Sequence, residues 1–195
     1  MKKIFMRYIL PLLAIFALAG FDQLVKFWTI ENIELHEHIA IWEGVFELTH
    51  IRNEGMAWGL LQNQQILFIA LTPVALFAFA YFYFRAPFTK RFIPIRIAEL
   101  LLAGGAIGNL VDRIFRGEVL FKGNVVDMFY VKLINFPVFN VADTYITIAC
   151  FLLVFLVVFY YNDEEFNRMF GLFKKKVKEK SLTAEKEEKE DAENH

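Results

Sequence analysis

Eight polar residues stand where an apolar chain has little reason to keep them: Asp22 and Lys26, then Asn109, Asp112 and Arg113, then Asp127, and finally Asn140 and Asp143. Asp22 and Lys26 are four apart, Asn109 comes three and four residues before Asp112 and Arg113, and Asn140 precedes Asp143 by three, so each set shares one face of a helix. Carrying a carboxylate or a guanidinium to membrane depth costs at least about 2.5–3.5 kcal/mol, so such groups have a partner or a task. Asn140 suits a helix cap, and the helix dipole favours the Asp143 carboxylate in the first turn. Asp127 lies between Val125, Val126 and Met128, Phe129 with no basic neighbour in sequence. A competing reading makes all of these interfacial caps and ion pairs that merely end their helices. It covers Asp22 with Lys26 and Asp112 with Arg113 better than it covers Asp127. Carboxylates, amides and cations collected at one level argue for chemistry at the membrane surface.

The elements that must hold them are membrane spans. Of 195 residues, 57% are hydrophobic and 17% aromatic, too apolar a mixture for a soluble domain of this size. Net charge is -1 and much of the charge sits in the tail, so no nucleic-acid surface is expected. Cys150 is the only cysteine, which excludes an intramolecular disulfide. Residues 66–84 carry no charge, residues 144–161 carry none, and 8–28 and 92–111 are apolar with two charges each. Each run can cross a hydrocarbon core of about 30 Å. The sequence therefore predicts an all-α membrane protein of four transmembrane helices, about 8–28, 66–84, 92–111 and 142–161, in one unit 1–163 with a charged tail 164–195.

Lys2, Lys3 and Arg7 before the first helix, Arg85, Lys90 and Arg91 between the second and third, and Lys174, Lys175 and Lys176 after the fourth belong to the cytoplasmic side, which puts both termini inside. The outer segments are then 29–64 and 112–141. Within them, 39–51 reads as one or two short strands and 125–139 as an extended or re-entrant stretch. The run from Asn53 to Gly59, with Gly55 and Gly59 flanking Met56, Ala57 and Trp58, suits a turn and a short surface helix that moves as a cover. Gly104 and Gly108 give the third helix a face for close packing. His36, His38, His50 and His195 lack the partners and spacing of a metal site, so no metal and no cofactor is expected, and the only serine, Ser181, lies in the tail.

Five stretches, DQLVK (22–26), NEGMAWG (53–59), GNLVDR (108–113), VVDM (125–128) and FPVFNVAD (136–143), together resemble the bacterial lipoprotein signal peptidases, or signal peptidase II. The resemblance implies an aspartyl endopeptidase of the bacterial cytoplasmic membrane, with its site at the outer face. It would remove the signal peptide from diacylglyceryl-modified prolipoproteins, cutting before the lipidated cysteine. It places the catalytic pair on Asp127 and Asp143 and lines the site with Asn53, Asn109, Arg113 and Asn140, leaving Asp22, Lys26 and Asp112 as structural polar residues. It implies prolipoprotein substrates and membrane lipids as partners, and a monomer is expected. Trp58 and Met128 stand where the family usually has Phe. The rival is a small four-helix membrane carrier or lipid-binding protein without catalysis, which should show related halves or charge near mid-membrane. A presenilin-type protease would want a G-x-G-D pattern, and the chain has none.

Overall fold

The computed structural model describes residues 4–55 and 64–170. Four helices in it are long and apolar enough to cross a membrane. Helix α1 spans Phe5–Asn32 and α2 Gln65–Arg85. Helix α3, Ile93–Phe115, is entered through a 3-10 turn at Lys90–Phe92, and α4, Val141–Phe155, is prolonged by a π turn at Leu156–Tyr160. Strands β1 (His38–Trp42), β2 (Phe46–Asn53) and β3 (Val125–Tyr130) form one antiparallel sheet in that order, and a short helix α5, Asp163–Phe170, follows the last span.

Burial is inverted relative to a soluble protein. Phe77, Phe151 and Phe159 are 76%, 74% and 75% exposed, while Asp22, Lys26 and Asp112 are fully buried. A surface of that kind is stable only against hydrocarbon. Helix α3 is the central one, packed against α1, α2 and α4. Two of its glycines set how closely its neighbours approach. A Cβ on Gly108 would stand 2.5 Å from Asp22 Oδ2, and one on Gly105 would stand 2.6 Å from the Ala142 carbonyl oxygen. Only a bare backbone lets α1 and the start of α4 come this near.

Helices α1 and α3 both run beyond the apolar stretches that mark them in sequence. Asp22 and Lys26 in α1 and Asp112 in α3 pair with one another inside the protein, so these charges do not end their helices. The last carbonyls of α3 are taken by the chain that follows: Arg116 N–H donates to Asp112 O at 2.9 Å, Gly123 N–H to Arg113 O at 3.0 Å and Phe121 N–H to Ile114 O at 3.0 Å. That wrap delivers the chain to β3.

The β1–β2 turn passes through Gly44, whose φ of 72° suits a residue without a Cβ. Ile51 of β2 pairs with Asp127 of β3 and Asn53 with Val125, across a register shift between Leu48 and Ile51. The extended stretch expected at 125–139 thus begins as the third strand. It then returns on itself, with Phe129 and Phe139 exchanging backbone hydrogen bonds at 2.8 and 3.0 Å.

The start of the charged tail is a docked helix. Met169 of α5 is buried against Phe92, Ile95 and Tyr161, and Glu165 pairs with Arg91 at 2.9 Å. Trp58 and Gly59, the surface helix expected around them, and the tail beyond residue 170 lie outside the described residues.

Candidate active site

Asp127 and Asp143 reach the site from different elements, one from the middle of β3 and the other from the first turn of α4. Asn140 connects them. As the cap of α4 its Oδ1 accepts from the Asp143 backbone N–H at 2.9 Å, and its own backbone N–H donates to Asp143 Oδ2 at 3.2 Å, a reciprocal capping box. With the oxygen so engaged, the Nδ2 group points the other way and donates to Asp127 Oδ1 at 2.6 Å. Asn53, at the end of β2, donates to Asp127 Oδ2 at 2.8 Å, and Asn109 of α3 donates to Asp143 Oδ1 at 2.8 Å. Each carboxylate therefore holds one amide donor per oxygen or a backbone equivalent.

Beneath them lies a buried ionic layer. The Lys26 ammonium sits 2.9 Å from Asp22 Oδ2, 2.9 Å from Asp112 Oδ2 and 2.8 Å from Asn109 Oδ1, which accounts for its three donors. The two carboxylates reach onward to the backbone. Asp22 Oδ1 accepts from Ala142 N–H at 2.9 Å, and Asp112 Oδ2 accepts from Val126 N–H at 3.1 Å. Ala142 immediately precedes Asp143 and Val126 immediately precedes Asp127, so the layer holds the chain one residue ahead of each aspartate.

Above the pair opens a cavity of about 650 Å³, lined by Asp127, Asp143, Asn53, Asn109 and Arg113 at its polar end and by Phe68, Leu110, Val138 and Ile148 along its apolar walls. Arg113 stacks on Phe68 at 4.4 Å and donates through Nη2 to the Gly55 carbonyl at 3.1 Å, while its buried Nη1 has no partner among the described residues. Asp127 is 1% exposed. Burial, reinforced by the nearby Asp143 charge, pushes its carboxyl up to about 7, against the opposing pull of the Asn53 and Asn140 donors.

Of the site residues named from sequence, Asn53, Gly55, Asn109, Arg113, Asp127, Asn140 and Asp143 line this cavity or bond to residues that do. Asp22, Lys26 and Asp112 lie one layer below it. Sequence reasoning missed Gln23, which donates to Gly108 O at 2.9 Å and Asp112 Oδ1 at 3.0 Å and accepts from Arg116 at 2.9 Å. Its place three residues before Lys26, on the same helical face, was the available signal. Phe68 and Thr72 of α2 were missed too, and an unbroken apolar helix offers no cue to its inward face. The described histidines near the sheet are engaged elsewhere: His38 with Glu47 at 3.0 Å and His50 with the Ile33 carbonyl at 3.0 Å.

The sequence of a family described as Signal peptidase (SPase) II matches residues 14–159. A lipoprotein signal peptidase of Streptococcus thermophilus is 40% identical over 152 residues, spanning 78% of this chain and 94% of its own. One from Lactococcus lactis subsp. lactis is 37% identical over 137 residues, 70% of this chain and 85% of its own. A solved bacterial membrane enzyme superposes with a TM-score of 0.66 at 27% identity, covering 77% of this chain and 88% of that one. The match runs from α1 to the end of α4, so this four-helix membrane protein belongs to the signal peptidase II family and is a peptidase.

Proposed function

We propose that this peptidase removes the signal peptide from diacylglyceryl-modified prolipoproteins, cutting before the lipidated cysteine, and that Asp127 and Asp143 are its catalytic pair. Amide hydrolysis needs an activated water and an acid for the leaving nitrogen, and two carboxylates sharing one proton supply both. In this reading the ionised member takes a proton from water as the water oxygen attacks the scissile carbonyl, and the protonated member donates to that carbonyl oxygen. Collapse of the tetrahedral intermediate then breaks the C–N bond, with the proton returned to the departing amine.

The observation that carries the reading is Asn140. One amide group is bonded to both aspartates, and both line a cavity with amides and Arg113 at its polar end and mostly apolar walls beyond. The raised Asp127 carboxyl supports a shared proton near neutral pH. Arg113, with an unpartnered Nη1 at the cavity, is suited to a carbonyl or lipid ester oxygen of the substrate. Asn53 and Gly55, tied to Asp127 and Arg113, begin the segment that we assign as a movable cover, with Trp58 and Gly59 further along it.

By the distribution of Lys and Arg, both termini are assigned to the cytoplasm and the site to the outer face of the bacterial cytoplasmic membrane. The peptidase unit, expected at 1–163, is better drawn to include α5, because Met169 belongs to the packed interior.

The test incubates purified protein with a diacylglyceryl-modified prolipoprotein and follows loss of the signal peptide. Cleavage is expected from the native chain and not from Asp127→Asn or Asp143→Asn, each of which keeps side-chain size but removes one acid/base group. Turnover near the native rate in either folded variant would overturn the assignment of the pair.

A further inference from the structure

At the far end of the bundle two cations share one aromatic ring. The Arg7 guanidinium lies 3.9 Å from the centroid of Phe88, and the Arg96 guanidinium also lies 3.9 Å from it. These contacts hold the two positive groups within about 8 Å of each other. Like charges so close are expected to be balanced by an anion, yet among the described residues neither arginine has a carboxylate at ion-pair distance.

Arg96 is 8% exposed and is fixed in place: it donates to the carbonyls of Ala86 at 2.6 Å, Pro87 at 3.1 Å and Phe92 at 3.4 Å, all in the turn between α2 and α3. Its Nε has no partner among the described residues. Arg7 is exposed and makes no hydrogen bond among the described residues. One turn deeper on α3, Glu99 is 6% exposed, and its Oε2 has no partner among the described residues. The Tyr83 ring, 5.3 Å from the Arg96 guanidinium and 5.8 Å from Phe88, closes the cluster.

We propose that this cluster binds the headgroup of an anionic phospholipid from the leaflet opposite the catalytic pair. The vertical order fits a lipid. Arg7 and Arg96 lie near the bundle end, where a phosphate sits, and Glu99 lies one helical turn, about 5 Å, deeper, at the level of the glycerol backbone. Arg96 is thirteen residues before Asn109 on α3, about 20 Å along the axis, so this site is separate from the cavity above. The neighbouring Tyr8 and Phe84 rings, 5.4 Å apart and both exposed, offer an acyl chain a surface that continues along α1 and α2. Lys/Arg enrichment assigns this end to the cytoplasmic leaflet, where anionic lipids meet basic side chains.

Native mass spectrometry of the full chain in detergent, with phosphatidylglycerol and phosphatidylcholine of matched acyl chains, tests the proposal. Phosphatidylglycerol is expected to stay bound at least about fivefold better than phosphatidylcholine, and Arg7→Gln or Phe88→Leu should each reduce that preference by about fivefold. Arg7→Gln breaks no internal hydrogen bond, so an unchanged thermal midpoint in lipid-free detergent is expected alongside the lost preference. Equal retention of both lipids by the native chain would overturn the proposal, as would full preference in both variants. Displacement of the lipid by inorganic phosphate alone would assign the cluster to a free anion instead.

Discussion

Lys26 fixes which way Asn109 faces. The ammonium donates to Asn109 Oδ1 at 2.8 Å, so the amide oxygen is committed and the Nδ2 group is left to donate to Asp143 at 2.8 Å. A flipped Asn109 would set an oxygen against a carboxylate and an NH₂ against an ammonium. The same cation neutralises Asp22 and Asp112, which hold the backbone just ahead of Asp143 and Asp127. One buried charge therefore orients a side chain and steadies two backbones.

Removing that charge should be costly. Lys26→Met leaves two fully buried carboxylates without their cation, and breaking a buried ion pair from one side destabilises by about 3–5 kcal/mol. Thermal unfolding in detergent should show a large fall in midpoint together with loss of cleavage. A native-like midpoint would mean that Asp22 and Asp112 are held by other means.

The pH response of Asp127 has a definite sign. Its carboxyl is raised to about 7 in the folded protein, above the ordinary unfolded value near 3.9. The acid form is favoured by folding, so the associated stability is fully present below the unfolded value and is lost as pH rises through about 7. Cleavage by a proton-sharing pair should fall along the same alkaline limb. In Asp143→Asn the neighbouring negative charge is gone, so the infrared titration of the Asp127 carboxyl should move to lower pH. A midpoint unmoved by that substitution would show that burial alone raises it.

Arg113→Lys keeps a charge but not the fork that stacks on Phe68 and reaches the Gly55 carbonyl. Cleavage kinetics should show a loss of about tenfold in kcat/KM with the protein still folded, as expected when a charge-assisted hydrogen bond is lost. Native kinetics in Arg113→Ala would leave the residue no role beyond topology.

Tail truncations should divide at α5. Ending the chain after Lys176 should leave cleavage within about twofold, because the removed sequence has few apolar residues to pack. Ending it after Tyr161 removes Met169 from its buried place and Glu165 from Arg91, and the thermal midpoint should drop. Equal behaviour of the two truncations in the melting experiment would deny α5 a structural part.

If the segment after Asn53 is a movable cover, spin labels on it and on the outer end of α4 should report several distances in the free protein and a narrower distribution with a bound peptide inhibitor. One unchanged distance in both states would make it a rigid turn.

The polar layer was legible in sequence because charge inside an apolar run is conspicuous and because three- and four-residue spacings put Asp22 with Lys26 and Asn109 with Arg113 on common faces. Their mutual contacts were not legible. That Lys26 reaches Asn109, 83 residues away, depends on Gly108 letting α1 approach, and a glycine in sequence names no partner. The pairing of Ile51 with Asp127 was hidden for a different reason: VVDMFY is buried along most of its length, so it lacks the alternation that marks a half-exposed strand. Helix α5 was hidden among charges, since its buried Met169 stands in a stretch that is otherwise largely polar.

Asn140 works as a caliper. One planar amide accepts from the Asp143 backbone N–H and donates to the Asp127 carboxylate, so the distance from the start of α4 to that carboxylate is held by a rigid group already pinned in the cap. A gauge of fixed width does not widen for a stiff or bulky guest. If Asp127 and Asp143 are the catalytic pair, a peptide has to adapt its own backbone to that fixed frame, and sequences that resist local unwinding are expected to be poor candidates however well their apolar parts suit the cavity.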